Sequence, residues 1–435
     1  MLNFQFHFVL IQLLAGLTPH LPTASGVVYY VLPTKPCPYN NSCPSGETCH
    51  TIDHYVSNSS HFFSQDHINV ILYFMCGVHN CTKHMDICDL HTFAMIGAAA
   101  GRENVTITTS VPIKVLRNSK DKNNHMYTFT NVSIVRLENM TVNYISINFE
   151  GKANCTFTGK NVDFHGYGHF KSVVVSVINI TGSQALLDNC TFQNNSFIRL
   201  QSSAMLTISD CIFYSHHHIS YSAIAGNNCT LNLSGVVYFI NNTIGDDHHG
   251  LECGAAIYLN SGDDMYVDAP HSILNVNRGA SVHFINNTAI GCAGALQLKS
   301  TEMDVGNNVN MTFIGNKIIY RDSSYARGGA IVLSHSSIKV RTNASIQLSD
   351  NSGSYGGAIE LLFRSSIHLY MNATIYFINN TAKISGGAIR MTSSNINITN
   401  ATLYFINNSA QSEAGGAISM SDGIISIYEH AKLIM

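Results

Sequence analysis

A two-part phrase recurs through the second half of the chain and limits the folds open to it. One part is Phe followed by Ile-Asn-Asn-Thr/Ser; the other, about a dozen residues later, is Gly-Gly-Ala-Ile. Clean copies run from Phe377 to Thr381 with Gly386 to Ile389, and from Phe405 to Ser409 with Gly415 to Ile418. The closing Ile falls at Ile331, Ile359, Ile389 and Ile418, in steps of 28, 30 and 29 residues. A fixed period of this size predicts a solenoid, in which each repeat is one turn that buries its apolar face against its neighbours.

The residues inside one period select the kind of solenoid. Residues 387 to 408 contain Gly-Ala-Ile-Arg-Met, then Asn395-Ile396-Asn397-Ile398, then Thr402-Leu403-Tyr404-Phe405-Ile406. These are short alternating runs rich in β-branched residues and separated by Ser, Thr, Asn and Gly. None has the length or the i, i+3, i+4 spacing of a helix. The expectation is an all-β chain, a right-handed parallel β-helix with three strands per rung.

The phrase resembles the repeat of the chlamydial polymorphic outer membrane proteins, and of eukaryotic surface proteins with a right-handed β-helix domain. The resemblance covers roughly residues 190 to 435, cleanly from about 280. It implies a pectate-lyase-like coil and an adhesin-like surface role, with no known catalytic residue in the repeat. The same residues have a mechanical reading. Phe284, Phe313, Phe377 and Phe405 are expected to stack inward as a ladder. The fourth-position Asn287, Asn316, Asn380 and Asn408 suit a bend, since Asn tolerates the left-handed region. The paired glycines permit tight backbone at the next corner.

Only 11% of the 435 residues are charged, against about 25% in ordinary soluble domains. The net charge of −3, from 23 basic and 26 acidic residues, gives no electrostatic case for nucleic acid. Residues 1–25 read as a secretory signal. Their apolar run, Phe8 to Leu17, is too short to span a bilayer, and small residues precede Gly26, although the leader lacks Lys and Arg. No later stretch approaches a membrane span.

Sequons and cysteines point the same way. Asn-x-Ser/Thr occurs 21 times, where composition alone predicts roughly seven or eight. Candidate glycosylation sites include Asn80, Asn104, Asn131, Asn154, Asn189, Asn228, Asn286, Asn372, Asn379 and Asn407. The repeat's own Asn-Asn-Thr accounts for some of them but not for most. Of 12 cysteines, six lie between Cys37 and Cys88, a density that reads as disulfides in an exported protein. The short Cys-x2-Cys spacing of zinc sites is missing there.

Residues 26–100 read as a Cys-rich N-terminal cap with the first rung, because an open solenoid end exposes apolar core and unpaired backbone. Within it, Val27 to Val31 is a strand, Thr51 to Tyr55 a short helix, and Ile68 to Phe74 an alternating strand. Residues 101–235 form irregular rungs, and 236–435 the regular repeats. Cys155, Cys190 and Cys211 each stand two residues before a Phe, so each shares that residue's inward face. Cys190 and Cys211 then meet on successive rungs, either as a disulfide or as stacked thiols. Cys253 and Cys292, each four residues before its closing aliphatic, Ile257 and Leu296, are the better bridge candidates.

Candidate chemistry is sparse. His216, His217 and His218, and Asp246, Asp247, His248 and His249, occupy the same loop on neighbouring rungs. They are the weak candidates for a metal site, set against a plain reading as polar loop insertions. Asp263 and Asp264 invite comparison with carbohydrate-active β-helix enzymes, but Asp304, Asp322, Asp350 and Glu360 do not share a register. No cofactor motif is present. The last residues, Ala431 to Met435, align with Ala373 to Phe377, so the sequence is expected to stop in mid-rung and to continue in a longer protein. The function expected is a non-enzymatic surface binding or adhesion rod whose partner is an unidentified cell-surface protein or glycan. The alternatives are a polysaccharide lyase or hydrolase on the same fold, and the ectodomain of an anchored receptor.

Overall fold

The computed structural model describes residues 26–36, 49–58, 69–81, 85–88, 90, 92–97, 105–109, 127–130, 132–151, 155–166, 178–218, 221–245, 254–261, 272–291, 293–319, 327–412 and 415–435. They form a right-handed parallel β-helix. One period shows how each turn is made. Ile389–Thr392 lies on a first face, Asn395–Thr399 on a second and Thr402–Ile406 on a third. A short fourth strand, Ser409–Ala410, then leads back to the next Gly-Gly-Ala-Ile.

The first-face strands build one 12-stranded sheet, so the described rod extends about 55 Å at the usual inter-strand spacing. Strands of the second and third faces join in a 27-stranded sheet, because early turns such as Ile134–Asn143 run through both without a break. The fourth strands form a separate seven-stranded sheet. Four strands per regular turn therefore replace the three expected. Segments such as Thr381–Ser385 are too short and too rich in small residues to show an alternating pattern.

Register follows the repeat. Ile224, Ile257, Leu296, Ile331, Ile359, Ile389 and Ile418 pair in one unbroken column. On the second face Val276, Val305, Val340, Leu369, Ile398 and Ile427 do the same. Inward residues of all three faces make one continuous core, since period-2 alternation sends every second side chain inside. The step lengths vary because corners gain or lose single residues while the strands keep their length.

Corners are turned by residues of positive φ. Between the third face and the fourth strand these are Asn241, Asn286, Gly315, Asp350, Asn379 and Asn407. Sequence had assigned this bend to the next residue in each copy, Asn287, Asn316, Asn380 and Asn408; none of those has positive φ. The first Asn faces solvent and takes the left-handed conformation, while the second turns inward. At the Gly-Gly corner, Gly386 has φ +69, and a Cβ on Gly387 would lie 2.0 Å from the Gly416 carbonyl oxygen. The first glycine supplies the dihedral and clearance from the Ile389 carbonyl oxygen of its own turn, and the second the clearance between rungs.

At the N-terminal end, Gly26–Val31 pairs in parallel with Asn69–Phe74, and Cys49–His50 pairs with the same first strand. A helix, Ile52–Ser57, buries Ile52 and Tyr55 in the common core, and Tyr55 Oη donates to the Tyr30 carbonyl at 2.9 Å. Cys49 and Cys76 each take part in a disulfide. Cys81, Cys155, Cys190, Cys211 and Cys229 are buried thiols. Cys190 and Cys211 are therefore stacked thiols: the Cys190 N–H donates to Cys211 Sγ at 3.4 Å. Cys155 stands apart from them, since Phe157 belongs to the second face and Phe192 and Phe213 to the third.

Candidate functional site

The third face carries the two columns that the repeated phrase encodes. Phe164, Phe192, Phe213, Phe239, Phe284 and Phe313 stack without interruption, ring centroids 4.5–4.9 Å apart and planes within 15° of parallel. Leu348 takes the next position, so Phe313 does not touch Phe377. The stack resumes with Phe377 on Phe405 at 4.9 Å.

Beside it runs a ladder of carboxamides, Asn242, Asn287, Asn316, Asn351, Asn380 and Asn408. Each Nδ2 donates to the next Oδ1 at 2.9–3.1 Å. Each Nδ2 also donates to a carbonyl on the preceding rung, such as Phe284 for Asn316. Backbone N–H groups of Asn242 to Asn380 donate to the same oxygens. A buried amide is tolerated only when its groups are satisfied, and this ladder satisfies them rung by rung. Asn242 was readable in Phe239-Ile240-Asn241-Asn242. Asn351 was missed because its rung has Leu348 in place of the marker Phe.

Outward side chains alternate with this interior. On the second face Glu302 pairs with Lys339, and Asp304 takes Arg341 Nε and Nη2 at 2.8 and 2.9 Å. The carboxylate holds the Arg341 guanidinium above its ordinary pKa, chiefly through that hydrogen bond. Arg278, Asp304, Asn307, Arg341, Thr342 and Tyr370 line a shallow groove of about 580 Å³. On the first face Glu360 is buried and bonded to Arg390 Nη1 at 2.7 Å; Arg390 also lies 4.1 Å from the centre of the Tyr355 ring. Burial raises the Glu360 pKa against the pull of Arg327 and Arg390. A second recess, of about 140 Å³, lies among Arg199, Gln201, Asn227, Tyr258 and Asn260.

The metal candidates fall partly outside the described residues, which exclude Asp246, Asp247, His248 and His249. His217 and His218 do pair with Thr243 and Ile244 on the adjacent rung. His216 is buried; its Nε2 bonds the Tyr221 carbonyl at 2.7 Å and its N–H continues the amide ladder to Asn242. Among the described residues no three His, Cys, Asp or Glu side chains converge on one point. Cys253, Cys292, Asp263, Asp264, Asp322, Asn104, Asn131 and Asn154 also lie outside them. Of the remaining sequon candidates, Asn189, Asn228, Asn286, Asn372, Asn379 and Asn407 are exposed at positive-φ corners, whereas Asn80 is half-buried in a strand. No helix among the described residues is long and apolar enough to cross a membrane.

Residues 374–391, one third-face strand through the following Gly-Gly-Ala-Ile, match the family model of the Chlamydia polymorphic membrane protein repeat. The chain carries that repeat. The matched copy contains Phe377, Asn379, Asn380, Gly386 and Gly387, the residues that build stack, bend, ladder and corner. In-register equivalents of this polymorphic membrane protein repeat extend it in both directions. No curated protein matches the chain. ORF18 of Geobacillus virus E2, a solved structure, aligns with 84% of this chain at 11% identity and a TM-score of 0.28. The aligned part is 54% of that structure, about half its length, and a likeness so low carries no argument.

Proposed function

We infer that this chain is an exported, glycosylated and non-enzymatic binding rod of a cell surface, whose flat outer faces contact a surface protein or glycan. The observation that carries this reading is the use made of the repeat. Its recurring side chains are spent inside, on the ring stack and amide ladder, which leaves outward positions free to vary without disturbing the fold. Glu302, Asp304 and Glu360 are each tied to a cation on the next rung, which favours recognition over acid–base hydrolysis. The repeat family's name, a membrane protein of polymorphic sequence, supports the same assignment.

Under this reading residues 1–25 are the leader, residues 26–100 the cap, and the solvent-facing corner asparagines the glycan acceptors. Cys253 and Cys292 form the bridge between neighbouring turns. The deciding experiment is expression through a secretory pathway, followed by binding to intact cells and to immobilised glycans beside an assay for uronate cleavage. Saturable binding without cleavage is expected. Chain cleavage of a polyuronate, or no retention on any surface, overturns the reading.

A further inference from the structure

Among the regular turns one corner departs from the rest, in a form that an earlier turn also takes at Ser202 and Ser203. Where the first face turns into the second, single residues of positive φ do the work on most regular turns: Ser300, His335, Ser393 and Asp422. The turn beginning at Ile359 has two, Phe363 at φ 50 and Arg364 at φ 60. Register locates the extra residue. His335 N–H donates to the Leu362 carbonyl and Arg364 N–H to the Ser393 carbonyl, while Ser337 pairs with Ser366 and Ser366 with Asn395. Seven residues thus separate Ile359 from Ser366, where six separate Ile331 from Ser337 and Ile389 from Asn395. This insertion lies inside the 30-residue step of the repeat.

The inserted residue is held in an unfavourable state. A bulky side chain in the left-handed region is a genuine outlier, and such strain persists where the surroundings enforce it. Ser365 enforces it here: buried, it donates from Oγ to the Leu362 carbonyl at 2.5 Å and accepts the Ser336 N–H at 3.2 Å. Phe363 is left 49% exposed, stacked on His335 with centroids 5.4 Å apart and planes 13° from parallel. Arg364 beside it is exposed and makes no ion pair among the described residues. Lys299 lies on the same edge two turns away. Most sequons of these turns sit on other corners, at Asn343, Asn372 and Asn400 and at Asn286, Asn379 and Asn407, with Asn310 and Asn397 on strands. None begins at Ser300, His335, Phe363, Arg364, Ser393 or Asp422.

We propose that the Phe363–Arg364 bulge is the contact by which the rod grips a protein partner, one offering an apolar cleft rimmed by carboxylates. The bulge presents two adjacent exposed side chains. Sugar sites are concavities with converging polar groups, whereas a protruding aromatic beside an unpaired Arg is the make-up of a protein–protein hot spot. The positive charge of Arg364 selects an acidic rim. Glycans on the other corners would shield those edges and leave this one open. The inference deepens the binding-rod reading and rests on it.

The test pans a displayed random-peptide library on the full chain, then measures the enriched peptides against variants. Peptides combining aromatic or aliphatic residues with Asp or Glu are expected. Their affinity falls at least tenfold for Phe363→Ala and for deletion of Phe363, and Arg364→Glu removes its salt dependence. The deletion variant restores the ordinary corner, so it folds with an unchanged or higher thermal midpoint and serves as the folding control. Equal affinity for wild type and deletion variant, or no enrichment, overturns the proposal. So does Phe363-dependent retention of heparin, hyaluronan or sialyllactose, which reassigns the bulge to a saccharide. If the deletion variant still binds cells as wild type does, the bulge fails while the rod reading stands; if wild type itself binds no surface, the rod reading fails.

Discussion

Asn351 donates its carboxamide to Asn380 Oδ1 at 2.9 Å on the following rung, and the same Nδ2 reaches the Phe313 carbonyl at 2.9 Å on the rung before. Its own Oδ1 accepts the Asn316 N–H at 2.9 Å and Nδ2 at 3.1 Å. One side chain thus serves three turns. Replacement by Ala orphans buried groups on two of them, and at roughly 1–3 kcal/mol for each, less what relaxation recovers, about 3–5 kcal/mol of stability is lost. Asn351→Asp keeps the acceptor but removes the donor and buries a charge. Its carboxyl pKa then rises on folding, so the variant binds more protons folded than unfolded and loses stability as pH rises. A urea midpoint that climbs for Asn351→Asp on acidification, relative to Asn351→Ala, checks this; a flat difference refutes the ladder's role.

This ladder also marks where sequence reading stopped short. The columns of Ile and Phe were legible because a repeat in phase predicts identical neighbours, as Phe284 over Phe313 shows. The conformation inside each Asn-Asn pair was not, since either residue tolerates positive φ and only burial decides which one turns inward. The fourth strand was hidden for a related reason: Thr381 to Ser385 owes its extended state to pairing with its neighbours, not to its own alternation. Phe363 was also invisible. A one-residue lengthening of a period already varying between 28 and 30 gives no sign of which corner took it.

The ring stack contains its own control. Leu348 is fully buried in the column that Phe occupies on the neighbouring turns. A leucine at Phe284, packed between Phe239 and Phe313, is therefore expected to cost only about 1–2 kcal/mol, as volume-tolerant core exchanges do. Phe284→Ala opens a cavity between two rings and is expected to cost about 3–5 kcal/mol. Denaturant titration of both variants decides it. Equal losses would show that ring stacking, not filled volume, holds the column.

The two glycines of the corner carry different burdens, and substitution separates them. A Cβ at Gly387 meets backbone in two places, the Gly416 carbonyl at 2.0 Å and Ser409 N at 2.4 Å, so neighbouring turns must move apart. Gly387→Ala is expected to destabilise by more than about 2 kcal/mol, in the range of core overpacking. A Cβ at Gly386 would lie 2.3 Å from the Ile389 carbonyl oxygen, so Gly386→Asn also destabilises, but less than Gly386→Val, because φ +69 is open to Asn and not to a β-branched residue. Thermal midpoints of the three variants, ordered Asn highest, check the assignment.

Acid is expected to weaken the N-terminal turns through His79. The imidazole is fully buried, bonded through Nε2 to the Met75 carbonyl at 2.6 Å and set edge-on to Phe74 at 4.9 Å. Burial pushes its pKa down to about 4, from about 6.5 in an unfolded chain. Between those values the unfolded state binds more protons, so stability is complete above pH 6.5 and is lost as pH falls toward 4. At roughly 1.4 kcal/mol per pKa unit the loss approaches about 3 kcal/mol. His79→Gln cannot take up that proton. Wild type minus variant, followed by urea midpoints from pH 7.5 to 4, should fall across this window and level off below it; a difference independent of pH would remove His79 as the cause.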